Sequence, residues 1–380
     1  MGIQLQGLRV LDLTTNISGP TLTMILGGLG ADVVKVERPE GDDGRRMGPY
    51  LNGHGTYFLA INRDKRSILA DLKSETGAAL VRALAQQADV LVENFRPGTA
   101  ERLGIGYERL SQRNPGLVYC AISAYGEVGP DAEKPGYDAV LQARTGVMSI
   151  TGPLEGEPVR AGVSLLDGGS ALWGAIGVLA ALVQRQQTGK GQRVATSLFE
   201  TGVSWMNYHL VAYQATGVDP RPQGASHTGF APYGRFETQD APVVIGISSD
   251  RLFQKLCRAV GHAEWAADPA YLHNAERLQH RSELDAALNA VLMEKPYASW
   301  VEAFEREGVP YAPIQTASQV LHDPQTAALQ MMQEVVLPDG THVQLPRLPL
   351  RFDSHRPPIR RPPPELGADQ QEVLHALGWV

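Results

Sequence analysis

The chain has 380 residues, room for two or three domains at roughly 150 residues each. It is 43% hydrophobic and 20% charged, with 34 Lys and Arg against 41 Asp and Glu and a formal charge of -7. That balance excludes a nucleic-acid protein, which needs concentrated basic side chains, and 2 cysteines (Cys120 and Cys257) in no C-x-x-C pair exclude a disulfide scaffold.

The opening Met1-Gly-Ile-Gln-Leu-Gln6 has neither a basic, apolar leader pattern nor the Ser or Thr of a myristoylation signal. Arg9–Leu13 predicts a short buried strand, followed by a Gly19-Pro20 break and an apolar helix from Thr21 to Leu29 that Gly30 closes. Asp32–Glu37 is the next strand, then Ser67–Ala70, a helix over Ser74–Gln87, and strands over Asp89–Glu93 and Leu117–Ile122. Strands alternating with helices of this length predict βαβ units on a parallel sheet, an α/β fold. The longest apolar run, Ala171 to Val183, covers 13 residues where a bilayer needs about 20, so neither a membrane partner nor a membrane span is expected. The cytoplasm is the expected location.

After Asp167 a long helix is predicted to about Gln187, stopped by Thr188-Gly-Lys-Gly191, with a strand over Arg193–Phe199. A second region begins near Gly224, with a strand at Val243–Ile247 and amphipathic helices over Leu252–Val260, Arg281–Glu294 and Tyr297–Glu307. From Val336 the chain turns Pro- and Arg-rich, as in Pro357-Pro-Ile-Arg-Arg-Pro-Pro-Pro364, and predicts an extended segment before a last helix over Ala368–Leu377.

Glu37, an acid about twenty residues after the first turn, invites a nicotinamide reading, but the turn Thr14–Pro20 lacks the G-x-G-x-x-G glycines. Its backbone amides remain able to bind an anion at a helix start. Gly189-Lys-Gly191 lacks the spacing of a phosphate loop and reads as a helix cap. The histidines show no metal-ligand spacing, so no metal is expected; His227 sits in a glycine-flanked loop as either a substrate contact or a solvated side chain. Asp167, in Ser164-Leu-Leu-Asp-Gly-Gly169, has two readings. It is a helix N-cap, or it is a nucleophile whose oxyanion is held by the Gly168 and Gly169 amides.

Taken in order, Gly7–Asp12 with Gly19-Pro20, Gly30–Pro39, Asp64–Ser67 with Asp71–Lys73, Ala88–Gly98 with Arg102–Gly104, Gly136-Tyr-Asp138, Asp167-Gly-Gly and Thr188–Gln192 form one pattern. It resembles the family III CoA-transferases, the group related to formyl-CoA:oxalate CoA-transferase and the carnitine and bile-acid CoA-transferases. The resemblance implies a Rossmann-like large domain built from both chain ends (1–200 and 326–380), a linker helix (201–223) and a smaller α+β domain (224–325). It implies a homodimer of two interlocked rings.

For chemistry it implies transfer of CoA from a short acyl-CoA to a short-chain carboxylic acid, with CoA as substrate and no permanently bound cofactor. Asp167 falls on the family's nucleophile, and Tyr137 either faces the thioester or is a buried packing tyrosine. Arg38, Lys73, Asn94, Phe95 and Arg102 fall on CoA contacts, and Arg96 becomes a phosphate partner. In the formyl-CoA members a glutamine stands where this chain has Ile17, and a run of glycines where it has Ile245-Gly-Ile-Ser-Ser-Asp250. That sets formyl-CoA and oxalate aside; Ser248-Ser-Asp-Arg-Leu-Phe253 is instead similar to members acting on succinyl-CoA with dicarboxylic acids, which implies that Arg251 would meet the far carboxylate. The alternative is a 2-methylacyl-CoA racemase of the same fold, which carries a histidine base where Tyr137 stands.

Overall fold

A computed structural model describes residues 4–379; Met1 and Gly2, where a lipidation signal was weighed, lie outside the described residues. The chain divides into two compact units. One runs up to Val147, resumes over Ala161–Gln214 and again from Asp323; the other comprises Met148–Arg160 and Ala215–His322.

The first unit is built on a six-stranded parallel sheet: β1 (Arg9–Asp12), β2 (Asp32–Glu37), β3 (Lys65–Leu69), β4 (Val90–Glu93), β5 (Val118–Ser123) and β6 (Arg193–Ser197). The spatial order is 3-2-1-4-5-6, the doubly wound order in which direction reverses between β1 and β4. β1 lies at the centre, Val10 standing opposite Val33 on one side and Val90 on the other. Helices α1 (Ser18–Gly28), α2 (Glu75–Gln87), α3 (Asp138–Arg144), α4 (Leu165–Thr188) and α5 (Leu198–Trp205) complete this part. Leu80, Val81 and Leu84 of α2 pack with Leu11, Val36, Ile68, Leu91 and Tyr119 of the sheet in one core. α1 and α4 approach so closely that a Cβ on Gly174 would lie 2.4 Å from Leu22. As expected from the glycines, Gly30 (φ +114°) follows α1, and Gly189 (φ +70°) caps α4 in the left-handed region.

Two boundaries differ from the sequence reading for identifiable reasons. The strand expected to reach Phe199 stops at Ser197, because the Ser197 hydroxyl accepts the Glu200 N–H and starts α5. α4 begins at Leu165, before Asp167, and its 24 residues exceed the short apolar run seen in sequence. By length and composition α4 could cross a membrane, yet half of its most apolar stretch is buried within the protein.

The second unit has a three-stranded antiparallel sheet of β7 (Tyr233–Glu237), β8 (Pro242–Gly246) and β9 (Tyr311–Pro313), with β8 central. Helices α6 (Asp250–Ala259), α7 (Arg281–Leu292) and α8 (Tyr297–Glu307) close its core around Val243, Ile245, Phe253, Leu288 and Phe304.

From Asp323 the chain again belongs to the first unit. Part of what the proline content suggested to be extended chain is a hairpin, β10 (Met332–Val336) paired with β11 (His342–Pro346). Beyond it the Arg360 and Arg361 amides donate to Asp64 Oδ1 at 2.7 and 3.0 Å. The start of α9 (Gln370–Ala376) then covers the edge strand β3. There Asp369 accepts the Ser67 N–H (2.7 Å) and Gln370 the Leu69 N–H (2.6 Å), which leaves no open edge at these positions.

Candidate functional site

The order 3-2-1-4-5-6 opens a crevice above the carboxyl ends of β1 and β4, where such sheets bind ligands. The turn after β1 is fixed from beneath by buried charges. Lys35 Nζ donates to the Thr14 carbonyl (2.7 Å) and pairs with Asp42 (2.7 Å). Lys65 Nζ meets Asp12 (3.0 Å) and the Pro20 carbonyl (2.9 Å). Burial alone would raise Asp12, but Lys65 and Lys35 outweigh it and hold its carboxyl well below the usual range. Burial also draws Lys65 down to about 8 against the pull of Asp12. Asn16 takes the left-handed conformation (φ +65°), which asparagine tolerates, and its N–H reaches Asp42 Oδ1 (3.2 Å). Asn94, following β4, closes the crevice floor: its amide donates to the Thr15 carbonyl (2.8 Å) and accepts the Thr15 N–H (3.0 Å).

Above this floor lies a cavity of about 210 Å³, lined by Asn16, Ser18, Asn94, Phe95, Arg96, Ser123, Lys134, Tyr137 and Asp167, among others. Asp167 sits within the first turn of α4, so the N-cap reading is corrected. The N-cap position belongs to Ser164, and the capping acceptor comes from another helix, because Asp138 Oδ2 takes the Leu166 (2.7 Å) and Asp167 (3.2 Å) N–H groups. The Asp167 carboxylate itself has no hydrogen-bond partner among the described residues. Burial first, and the Asp138 charge second, push its carboxyl up to about 7.

The glycine amides are also corrected as oxyanion donors. The Gly168 N–H is spent on the Ser164 carbonyl (3.0 Å), and Gly169 continues the helical ladder. What the two glycines provide is space. A Cβ on Gly168 would meet nothing within 4 Å, whereas one on Gly169 would lie 2.4 Å from Trp205.

Of the other expected residues, Tyr137, Asn94, Phe95 and Arg96 share the cavity with Asp167. Tyr137 is 71% exposed, so it is no packing tyrosine. The Arg96 guanidinium is exposed and forms no ion pair or hydrogen bond among the described residues, leaving it open to an anion. Arg38, Lys73 and Arg102 do not line this cavity. Arg38 pairs with Asp43 and donates to the Gly41 carbonyl (2.9 Å); Arg102 donates to Thr99 (2.8 Å); Lys73 is exposed after β3. Glu37, the acid of the nicotinamide reading, is spent on Arg45 and Ser67.

Sequence reasoning missed Lys134 and Asp138. Asp138 stood in the Gly136-Tyr-Asp motif, but nothing local shows that its carboxylate would cap a helix starting 27 residues later. His227 and Arg251 belong to the second unit. The Gly229 N–H donates to His227 Nδ1 (3.0 Å) and the ring lies against Phe230 and Tyr233, while Arg251 is exposed in the first turn of α6.

Fold and crevice define a doubly wound α/β protein with an open cavity at the switch point, where such sheets generally bind ligands. Comparison with known proteins then gives the class. The model of CoA-transferase family III matches residues 5–370. A succinyl-CoA:glutarate CoA-transferase of Mus musculus is 37% identical over 97% of this chain and 85% of its own. An acetyl-CoA:oxalate CoA-transferase of Acetobacter aceti is 38% identical over 94% of this chain and 91% of its own. The crystal structure of a CAIB/BAIF family protein from Brucella suis superposes with a TM-score of 0.88 at 35% identity, covering 99% of this chain and 100% of that one. The chain belongs to the family III CoA-transferases and is an enzyme of that class.

Proposed function

We propose that the enzyme moves CoA from a short acyl-CoA, succinyl-CoA or a similar donor, to a short-chain dicarboxylic acid through Asp167. The observation that carries this reading is the unpartnered Asp167 carboxylate in a cavity with an open guanidinium, Arg96. The Asp167 carboxylate attacks the thioester carbonyl, the C–S bond breaks, and CoA leaves as thiolate from a mixed anhydride. The thiolate attacks the aspartyl carbonyl, releasing the donor acid and leaving an aspartyl-CoA thioester. The acceptor carboxylate attacks that thioester and expels the thiolate. The thiolate then takes the acceptor acyl group, which frees Asp167.

Each step exchanges one activated acyl group for another, so no ATP is consumed. Gly168 leaves room for the acyl group, and Arg96 takes a CoA phosphate with Arg38, Lys73 and Arg102 on the outer path of the nucleotide. The dicarboxylate acceptor rests on the glutarate and oxalate enzymes among the relatives. Because one relative is named for oxalate, oxalate belongs in the acceptor panel despite Ile17 and Ile245–Asp250.

The same reading includes a homodimer. α4 leaves Leu172, Trp173, Ile176 and Val183 exposed, and the helix Asn207–Thr216 exposes Tyr208 and Val211. A second copy covers such a face as well as a bilayer would. Buried Cys120 and Cys257, both free thiols, fit a cytoplasmic enzyme.

The test is intact-protein and peptide mass spectrometry after incubation with succinyl-CoA, followed by hydroxylamine, over a panel of acceptor acids. The expected result is CoA bound through Asp167 and released to dicarboxylates. An unmodified Asp167 in a protein that still turns over overturns the mechanism.

A further inference from the structure

The carboxylate that caps α4 is itself held. Asp138 opens α3 and Gln142 lies four residues on, on the same helical face. Gln142 is fully buried. Its amide nitrogen donates to Asp138 Oδ1 and its amide oxygen accepts the Ala161 N–H at 2.8 Å. Because a backbone N–H can only donate, the Gln142 oxygen must face Ala161, and its NH₂ group must face Asp138. Asp138 Oδ1 is thereby fixed as an acceptor. Asp138 Oδ2 already accepts the Leu166 and Asp167 N–H groups. Both oxygens are committed to donors, so the carboxylate cannot rotate without breaking a buried hydrogen bond.

We propose that Gln142 is a positioning residue for the nucleophile, acting through Asp138 to fix the first turn of α4 from which Asp167 projects. The inference rests on the reading of Asp167 as nucleophile and deepens it. A chain of four groups results. Ala161 fixes Gln142, Gln142 fixes Asp138, and Asp138 fixes the backbone from which Asp167 projects. The nucleotide-side residues Asn94, Phe95 and Arg96 follow a different strand, so the chain of contacts reaches the reacting carboxylate and not the cradle around CoA.

Two variants test it. Gln142→Met keeps the length and removes the donor to Asp138. The rate of CoA attachment and kcat fall by about ten- to a hundredfold, the range for losing one buried hydrogen bond to a charged group, while KM for acyl-CoA stays within about twofold. Gln142→Glu places a second carboxyl against Asp138 Oδ1. On the packed elements, Asp167 of α4 interacts electrostatically with Asp138, Glu200 of α5 is exposed and bonded to Ser197, and Arg144 of α3 lies over Phe199 of α5. Protonated, the introduced carboxyl donates as the glutamine amide does; ionised, it repels Asp138. Measured as a ratio to the wild type at the same pH, which cancels the Asp167 acid limb, this variant's activity approaches that of the wild type as pH falls and drops away from it as pH rises.

Wild-type protein that forms no CoA adduct with succinyl-CoA overturns the reading of Asp167. Wild-type protein that forms it, with Gln142→Met forming it equally fast, overturns the role of Gln142 alone. A Gln142→Glu profile that parallels the wild type, beside a Gln142→Met loss that tracks lowered melting temperature, also overturns that role by reducing it to stability.

Discussion

As the proposed nucleophile, Asp167 carries two demands that pull against each other. An attacking carboxylate must be ionised, yet burial and the Asp138 charge favour its protonated form and push it up to about 7. The acid limb of kcat/KM is therefore expected near pH 7, activity rising with pH as the free enzyme loses that proton. The same shift appears in stability. The folded chain holds the Asp167 proton to higher pH than the unfolded chain, whose value is near 3.8. Below about pH 4 both states are protonated and the residue costs nothing. Between pH 4 and 7 the unfolded state binds fewer protons, so stability falls as pH rises, and above 7 the penalty is complete. Asp167→Asn removes it. Calorimetry is expected to give equal melting temperatures for wild type and variant at pH 4, with the variant increasingly ahead up to pH 8. The variant should lose transfer while still binding CoA. A constant difference at all pH values would mean that the carboxyl titrates normally.

The two glycines after Asp167 look alike in sequence and differ on α4. Gly168→Ala enters open space and replaces a poor helix former, so stability is expected to hold or rise by up to about 1 kcal/mol, while bulky acyl donors lose kcat/KM. Gly169→Ala drives a methyl group into Trp205 and Thr201 and should cost about 1–3 kcal/mol, read from urea denaturation midpoints. The buried pair beneath the first turn gives a third expectation at this scale. Lys65→Met removes the direct ion-pair partner of Asp12, leaving Lys35 as the other buried charge acting on it, and should cost up to about 3–5 kcal/mol in the same measurement, loosening the turn that supplies Asn16 and Ser18 to the cavity.

The strands of the parallel sheet, β8, α2 and the glycine caps were legible because each follows from local pattern: β-branched runs, Ser74 before a periodic segment, Gly30 and Gly189 after one; β7 and β9 were not. The start of α4 was not, because its cap is a carboxylate from α3 and no local signal marks it. Nor was the hairpin β10–β11, hidden in sequence by the neighbouring prolines. Asp167, Tyr137, Asn94, Phe95 and Arg96 were legible as a set only through the family pattern. Their gathering around one cavity depends on which strand ends the sheet order places side by side.

At the scale of the whole molecule the outstanding demand is the apolar face of α4. One side of this helix packs on α1 and the sheet, while Leu172, Trp173 and Ile176 remain roughly half exposed, at 54%, 44% and 56%. Monomeric proteins rarely leave contiguous apolar patches of this kind uncovered. The helix that presents the face also carries Asp167 at its start, so a partner seated along it would brace the element from which the proposed nucleophile projects. A self-complementary contact of this sort requires the same stripe on both copies, the condition for a closed twofold dimer. Sedimentation equilibrium is expected to give about twice the chain mass of 41.1 kDa at micromolar concentration. Ile176→Glu, which buries one charge per copy at the centre of that stripe, should shift the protein toward monomer or aggregate and lower its melting temperature. If the chains are interlocked, dilution alone will not separate the wild-type dimer, and monomer will appear only where denaturant also unfolds the sheet. A wild-type protein that sediments at the single-chain mass with full activity would assign the exposed stripe to some other surface than a second copy.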